Sequence, residues 1–266
     1  MKVLFLGDII GRAGRTALQR NLKNIQKSNQ IDFTIINGEN SAGGFGITEN
    51  ICKDLYSYGC DVITTGNHLW DQKEISNYIE RDNNLLKPYN FPQGTPGLGF
   101  NIYKTKKNEA IMVINLIGNV FMKSDDNPFL KVEEILKKNR LNSELKFIFV
   151  DFHAEATSEK VAMGHHLDGR VTAVVGTHQH VPTADSHILP KGTAYQTDAG
   201  MCGDYNSIIG MNKEPILDRF QGIKSKSKFS PAMGEATICG VIIESDAETG
   251  LAKNIKPIKV GGVLGV

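Results

Sequence analysis

Four short polar motifs in this chain directly follow apolar runs, and each contains side chains that can bind a metal ion. They are Gly7-Asp8, Gly38-Glu39-Asn40, Gly66-Asn67-His68 and Gly176-Thr177-His178-Gln179-His180. A fifth element, Asp151-Phe152-His153, follows the apolar run 146–150. Carboxylate, amide and imidazole groups suit a pair of divalent ions, which can hold a hydroxide nucleophile and clamp a phosphate for in-line displacement. The pattern therefore predicts an enzyme that cuts phosphoester bonds.

The apolar runs before these motifs alternate with helical patterns, which predicts an α/β fold. The runs at 2–7, 33–38 and 61–66 are nearly continuous, as is typical of parallel strands covered on both faces. Between the first two, Leu18 and Leu22 are spaced as on the buried face of a helix. Open α/β sheets bind ligands at the carboxyl ends of their strands. We therefore expect the polar motifs to converge in space.

Further elements are predicted from caps and periodicity. Thr48 and Gly59 are expected to cap a second helix at its two ends. A polar helix is predicted over 71–80, another helix over 128–139 behind Pro128, and a third over 157–167. Strands are also predicted at 99–105 and 110–118, which are close enough to pair antiparallel, and at 171–177. The C-terminal third contains several short strand candidates, and this antiparallel-rich ending is consistent with a second sheet. We find no boundary within 1–266 and expect a single domain.

The bulk composition limits the functional classes. Of 266 residues, 40% are hydrophobic and the net charge is +1, so no global field favours nucleic acid or a membrane surface. The four cysteines show no CxxC spacing, which favours a reduced compartment. No stretch approaches the roughly 20 apolar residues that span a bilayer, and the N-terminal run is too short for a signal peptide. These features predict a soluble cytoplasmic protein.

Each motif also has a structural interpretation when it is taken alone. Asp8 could cap the helix that starts near Gly11, Glu39 could be a polar loop residue, and Asn67 could belong to a turn. The pair His178 and His180 is more telling, because side chains that flank a single residue can point into the same space. All five elements occupy the same strand-end position, and this coincidence favours the metal site.

The motif order GD…GEN…GNH…H…GTHQH resembles the calcineurin-like metallophosphoesterase superfamily. The segments FLGDIIGRAGR, NGENSAGGFGIT, TGNHLWDQKEI, DFHAEATSEK and TDAGMCGDYNSIIGM resemble more closely its bacterial YmdB-like branch of cyclic-nucleotide phosphodiesterases. The similar text runs from residue 4 to about residue 211. The resemblance implies a four-layer α/β sandwich, with two mixed β-sheets face to face, helices outside and the metals at one edge.

The resemblance also implies two sets of metal ligands that share one carboxylate. The first set is Asp8, Glu39, Asn40 and His180. The second set is Glu39, Asn67, His153 and His178, with Glu39 bridging the two ions. Ile10 stands where the superfamily usually has a histidine, so the first set is rich in oxygen. By ligand hardness we expect two divalent ions, Fe or Mn, with Mg or Zn as alternatives.

His68 follows the ligand Asn67 without being a ligand itself, and it is predicted to protonate the leaving alkoxide while a metal-bridging hydroxide attacks phosphorus. Asp71, three residues later, is predicted to cap a helix.

Two residue positions depart from the pattern of the YmdB-like branch. Asn119 replaces an expected arginine, and His165-His166 replace aromatic residues. We interpret the two histidines as substituted aromatics at a helix end, in preference to a third metal site.

The function predicted from these residues is hydrolysis of 2′,3′- or 3′,5′-cyclic nucleotides to the monophosphate. Two alternatives stay open, a broader phosphodiesterase or RNase and a regulatory metal-binding protein with weak catalysis. The near-neutral charge argues against long nucleic acids, so the expected partner is a small phosphodiester such as a cyclic nucleotide. The sequence assigns no substrate-binding residue and leaves the oligomeric state open, a homo-oligomer included.

Overall fold

The computed structural model describes residues 1–122, 126–142, 144–224 and 228–265. Two mixed β-sheets pack face to face, and helices cover the outer face of each sheet. The four-layer sandwich implied by the motifs is thereby confirmed. Its innermost layer is apolar, with the rings of Phe5 and Phe149 from opposite sheets 4.7 Å apart between centroids.

The first sheet has seven strands. They are β1 (Lys2–Leu6), β2 (Asp8–Ile9), β3 (Phe33–Asn37), β4 (Val62–Thr64), β11 (Met201–Asp204), β12 (Ala236–Ser245) and β13 (Ala252–Val260). Strands β1, β3 and β4 run parallel, as predicted, while β12 pairs antiparallel with β1, β11 and β13.

The second sheet has six strands. They are β5 (Phe100–Lys104), β6 (Ala110–Ile117), β7 (Leu145–His153), β8 (Ala173–Thr177), β9 (His187–Ile188) and β10 (Ala194–Gln196). The central strands β6, β7, β8 and β10 run parallel to one another, and the edge strands β5 and β9 pair antiparallel with β6 and β10.

The alternation of side chains along a strand explains why its apolar run is continuous. In β1, Val3 and Phe5 lie between the two sheets, whereas Leu4 and Leu6 pack against the helices outside. Successive side chains of a strand point to opposite faces, so a strand that is covered on both faces needs apolar residues at every position.

The described chain has six α-helices, of which the first five pack apolar residues against the outer faces of the sheets. They are α1 (Gly11–Asn29), α2 (Glu49–Tyr58), α3 (Ile75–Tyr78), α4 (Pro128–Leu136), α5 (Thr157–Leu167) and α6 (Lys213–Phe220). The caps predicted for α2 are confirmed, since the Thr48 hydroxyl accepts from the Ile51 N–H and Gly59 has a φ of 115°. None of these helices has the length and apolar character needed to cross a bilayer.

One expectation about the elements was wrong and a second holds only in part. The polar helix predicted over 71–80 is a 3-10 turn at Leu69–Asp71 followed by the single turn α3, because the segment buries apolar side chains only toward its end, at Ile75, Tyr78 and Ile79. The C-terminal strands, which were expected to be rich in antiparallel pairs and consistent with a second sheet, divide between the two sheets. Strands β12 and β13 join the first sheet, where β12 runs beside the N-terminal strand, and β10 lies parallel to β8 in the second.

Candidate metal centre

The predicted ligands come from both sheets and gather at the carboxyl ends of their parallel strands. Asp8 begins β2, Glu39 follows β3, Asn67 follows β4, His153 ends β7, and His178 follows β8. Carboxylate and imidazole atoms form two groups within which all ligand atoms lie within 4.8 Å of one another. The groups are Asp8, Glu39 and His180, and Glu39, His153 and His178. Glu39 belongs to both groups, as the family resemblance implies.

The two amides lie beside these groups. Asn67 Oδ1 is 3.0 Å from His153 Nε2. Asn40 is buried and donates from Nδ2 to the Gly44 carbonyl at 3.0 Å, which leaves its Oδ1 as the atom available to an ion. All seven side chains that we expected as ligands are therefore brought to one place; their binding of metal stays a prediction.

Unpaired oxygen atoms in this cluster test whether a cation would fit. Asp8 Oδ1, Glu39 Oε1 and Asn40 Oδ1 are buried without a hydrogen-bond partner among the described residues. Glu39 Oε1 does lie 3.1 Å from His153 Nε2, but without hydrogen-bond geometry. Buried oxygen atoms of this kind are costly unless something compensates them, and a bound cation does so. The donor set thus fits hard or borderline divalent ions.

Hydrogen bonds also orient the imidazole rings for ligation. His180 Nδ1 is 2.8 Å from the Ile209 carbonyl, which can only accept, so Nδ1 carries the proton and Nε2 keeps its lone pair. The Thr177 hydroxyl donates to Asp151 Oδ1 at 2.7 Å and accepts from His153 Nδ1 at 2.9 Å. This chain orients the His153 ring through a buried carboxylate, an arrangement that raises ligand basicity.

His178 has a different arrangement. Its Nδ1 lies 3.1 Å from His153 Nε2, so the two nitrogen atoms face the same point. Its Nε2 lies 2.9 Å from a carboxylate oxygen of Glu155. A carboxylate on the far nitrogen is the usual outer partner of a metal-binding histidine. The sequence contained Glu155 two residues after His153, but nothing in its spacing indicated this role.

The buried charges are strongly interdependent. Burial opposes ionisation of Glu39, yet the charge of His153, whose Nε2 lies 3.1 Å away, outweighs burial and lowers the pKa of Glu39 to about 2. Burial likewise opposes protonation of His153, whose pKa Glu39 nevertheless raises to about 9. Burial raises the pKa of Asp8 and lowers that of His178 to about 3. The two buried carboxylates thus create a negative potential that attracts positive charge.

Gly66 allows β4 to approach these ligands. A Cβ atom at this position would lie 2.3 Å from Glu39 Oε2 and equally close to the His153 ring. No side chain fits there without displacing a predicted ligand, which explains why a glycine precedes Asn67.

His68 lies next to the cluster and is tied to it. Its backbone N–H donates to Glu39 Oε2 at 3.1 Å, and its side chain is 29% exposed. The prediction that Asp71 caps a helix was wrong, because its carboxylate lies 2.8 Å from His68 Nδ1 at the end of a 3-10 turn. Asp71 therefore holds the ring and leaves Nε2 as the nitrogen available to a substrate.

The loop that carries His178 and His180 is strained and supported from beneath. Both histidines have positive φ angles, 109° and 65°, which L-residues rarely adopt. The Asp198 carboxylate accepts from the intervening Gln179 N–H at 3.0 Å, and Lys160 donates to the same carboxylate at 2.8 Å. The side chains of Lys160 and Asp198 are 1% and 0% exposed, so this is a fully buried ion pair.

Replacing Lys160 by methionine is expected to lower the free energy of unfolding by about 3–5 kcal/mol, because it leaves the Asp198 charge buried and unpaired. Urea denaturation followed by circular dichroism measures this change. Lys53→Met is the matched control: Lys53 pairs with Glu49 on an exposed helix surface, and its loss should leave stability nearly unchanged. Equal effects of the two substitutions would contradict a structural role for the buried pair.

The residues that depart from the family pattern lie in two places. His165 and His166 are exposed on α5, and His166 Nε2 contacts Glu133 at 2.9 Å while its ring packs edge-on against Phe129. Neither histidine belongs to a metal-ligand group among the described residues. Asn119 lies on the loop after β6, where its backbone N–H donates to the Glu159 carboxylate at 2.9 Å.

The double substitution His165→Trp with His166→Tyr is expected to leave metal content unchanged and kcat within a few-fold of the parent value. The reason is that consecutive helical side chains diverge by about 100° and so do not readily chelate one ion. Elemental analysis and steady-state kinetics test this expectation. Loss of an ion, or a fall in turnover of about 100-fold, would place these histidines in the site.

A family model of YmdB-like proteins matches residues 4–258 of this chain. The chain belongs to the YmdB-like family. It is 47% identical to the 2′,3′-cyclic-nucleotide 2′-phosphodiesterase of Bacillus subtilis (strain 168), over 98% of this chain and 97% of that protein. The resemblance drawn from the motifs is confirmed.

Two solved structures of about the same length share the architecture of this family member. A hypothetical protein from Thermus thermophilus superposes with a TM-score of 0.90 at 38% identity, over 99% of this chain and 100% of that one. A structure described as a novel phosphatase of Mycoplasma pneumoniae gives 0.89 at 35% identity, over 98% and 93% of the two chains. The sandwich is thus the fold of close relatives.

Proposed function

We propose that this protein is a metal-dependent phosphodiesterase that hydrolyses 2′,3′-cyclic nucleotides and breaks the bond between phosphorus and the 2′-oxygen. The observation that carries the proposal is the pair of ligand groups that share Glu39, whose carboxylate also accepts a hydrogen bond from the backbone N–H of His68. The activity named for the Bacillus subtilis relative supports the choice of substrate and of the bond broken.

Two divalent ions would be held at the carboxyl ends of the strands. Asp8, Glu39, Asn40 and His180 would hold one, and Glu39, Asn67, His153 and His178 would hold the other. When bound, such a pair supplies a hydroxide nucleophile at neutral pH and neutralises charge on the phosphoryl oxygens. The ligands are oxygen and imidazole groups without thiolates, which favours Fe or Mn over thiolate-type zinc chemistry.

The protein's own groups then handle the leaving group. His68 would donate its proton to the 2′-oxygen as the bond from that oxygen to phosphorus breaks; with the new oxygen on phosphorus coming from water, the product would be a 3′-nucleotide. Asp71 accepts a hydrogen bond from His68 Nδ1 and keeps the ring in a single orientation. The hydrogen bond between the His68 backbone and Glu39 fixes the acid relative to the ligand cluster.

Turnover of four substrates measured side by side tests the proposal. We expect protein loaded with Mn²⁺ or Fe²⁺ to hydrolyse 2′,3′-cyclic AMP to 3′-AMP fastest, with 3′,5′-cyclic AMP, a cyclic dinucleotide and a short RNA slower. Chromatography of the products identifies the bond that is broken, and a chelator should abolish activity. Cleavage of RNA without hydrolysis of cyclic mononucleotides would replace this function with a ribonuclease activity.

A further inference from the structure

Phe45 is a large aromatic residue left outside the apolar core beside the candidate acid. Its neighbours Ala42 and Ile47 belong to or pack against the helix-side core of the first sheet, but Phe45 belongs to none of the three apolar clusters of the described residues. Its side chain is partly exposed. Its ring centroid lies 5.0 Å from that of His68, with 66° between the ring planes.

Hydrogen bonds hold the backbone of the turn 41–46, which carries Phe45, next to the ligand Asn40 and the segment after His68. The Phe45 carbonyl accepts from Gln72 Nε2 at 2.8 Å, and its N–H donates to the Ala42 carbonyl at 3.2 Å. On the other side, the predicted ligand Asn40 donates to the Gly44 carbonyl at 3.0 Å. These contacts fix the backbone that carries the ring, and the ring itself contacts His68 without belonging to the apolar core.

The chemistry of the substrate places a nucleobase near this ring. If His68 protonates the 2′-oxygen, as the proposed function requires, the neighbouring sugar carbon C1′ carries the base. Only three bonds separate the 2′-oxygen from the base nitrogen, so the base must lie close to the imidazole. The centroid of the Phe45 ring is 5.0 Å from that of the His68 imidazole. Stacked aromatic rings have centroids about 4.5–7 Å apart, so a base held beside His68 is within stacking distance of Phe45.

We propose that Phe45 is the stacking platform for the nucleobase of the substrate, and that it selects nucleoside cyclic phosphates over phosphodiesters that lack a base. This inference rests on the proposed function. Every base offers a π-face, so the platform accepts purines and pyrimidines alike, and Phe45 acts in binding while His68 acts in bond cleavage.

A pair of substrates that differ only in the base tests this role. We expect Phe45→Ala to lower kcat/KM for 2′,3′-cyclic AMP by about 5-fold to 150-fold, the range for loss of one stacked base. The same substitution should change kcat/KM for methyl riboside 2′,3′-cyclic phosphate by no more than about 2-fold, because Asp71 still holds His68. Phe45→Tyr keeps an aromatic face and should restore the parent value with 2′,3′-cyclic AMP.

Binding of the products gives a second readout that does not depend on catalysis. In calorimetry, Phe45→Ala should weaken 3′-AMP and leave methyl riboside 3′-phosphate unchanged. Phe220→Ala is the matched control, since Phe220 is 81% exposed on α6 and should affect neither ligand. Equal losses of affinity for 3′-AMP and for methyl riboside 3′-phosphate in Phe45→Ala would overturn the proposal and leave Phe45 as a support for His68.

Phe121 offers a competing position. It is 90% exposed on the loop after β6, and its φ is 62°. The assignment to Phe45 would be overturned if Phe121→Ala, and not Phe45→Ala, lowered kcat/KM for 2′,3′-cyclic AMP without lowering it for methyl riboside 2′,3′-cyclic phosphate. A parent protein that hydrolyses neither cyclic phosphate would instead remove the proposed function. In that case the stacking proposal is overturned only if the parent protein binds 3′-AMP no more tightly than the methyl riboside phosphate.

Discussion

Glu39→Ala is expected to release both metal ions and to abolish hydrolysis. Glu39 is the only carboxylate common to the two ligand groups, so its removal takes one oxygen ligand from each site. The fall in metal affinity should exceed the 10-fold to 100-fold typical of losing an outer partner of a ligand, because a direct ligand is lost at both sites. Elemental analysis of purified protein measures the metal content directly, independently of activity.

His180→Ala provides the comparison for this prediction. His180 belongs only to the group with Asp8 and Glu39, so this variant should keep the ion held by Glu39, His153 and His178. Circular dichroism of both variants checks that the fold is retained. A Glu39→Ala protein that kept one tightly bound ion would show that Glu39 does not bridge the two sites.

His68→Ala is expected to lower kcat for 2′,3′-cyclic AMP by about 10²-fold to 10⁴-fold, the usual contribution of a positioned acid. Metal content and KM should stay near the parent values, because His68 acts chiefly in the transition state and is not a ligand. The loss should shrink with a p-nitrophenyl phosphodiester, since its leaving group needs little protonation. Steady-state kinetics with both substrates measure the difference.

Asp71→Asn is the graded control for the acid. The amide keeps the size of the side chain but weakens the charge-assisted hydrogen bond to His68 Nδ1, so the loss of kcat should be smaller than in His68→Ala. Equal losses in His68→Ala on good and poor leaving groups would remove the acid role. His68 would then act only by positioning the substrate.

Much of this architecture followed from local patterns. Continuous apolar runs marked the parallel strands, because strands covered on both faces have no polar side. The polar residues after those strands could be expected to meet, because the carboxyl ends of parallel strands share one edge. Capping residues such as Thr48 and Gly59 located α2 because their preferences are set by the backbone alone.

Other features depended on contacts between distant segments. The pairing of β12 with the N-terminal strand joins residues about as far apart as the chain allows, and no local signal assigns β12 to the first sheet. The polar segment after His68 had the composition of a helix, but its carboxylate Asp71 turned out to face the histidine. The hydrogen bond between them depends on the turn that precedes α3.

The types of the reactive groups were determined by the sequence itself. Carboxylate, amide and imidazole side chains that follow buried strands define which ions the carboxyl-end edge of the sheets can bind. Their mutual geometry was decided by the tertiary structure. It brought Glu39 into both ligand groups, buried Lys160 against Asp198 beneath the histidine loop, and placed Phe45 beside His68. Residue type and spacing are local properties, whereas distances between side chains depend on how the two sheets pack together.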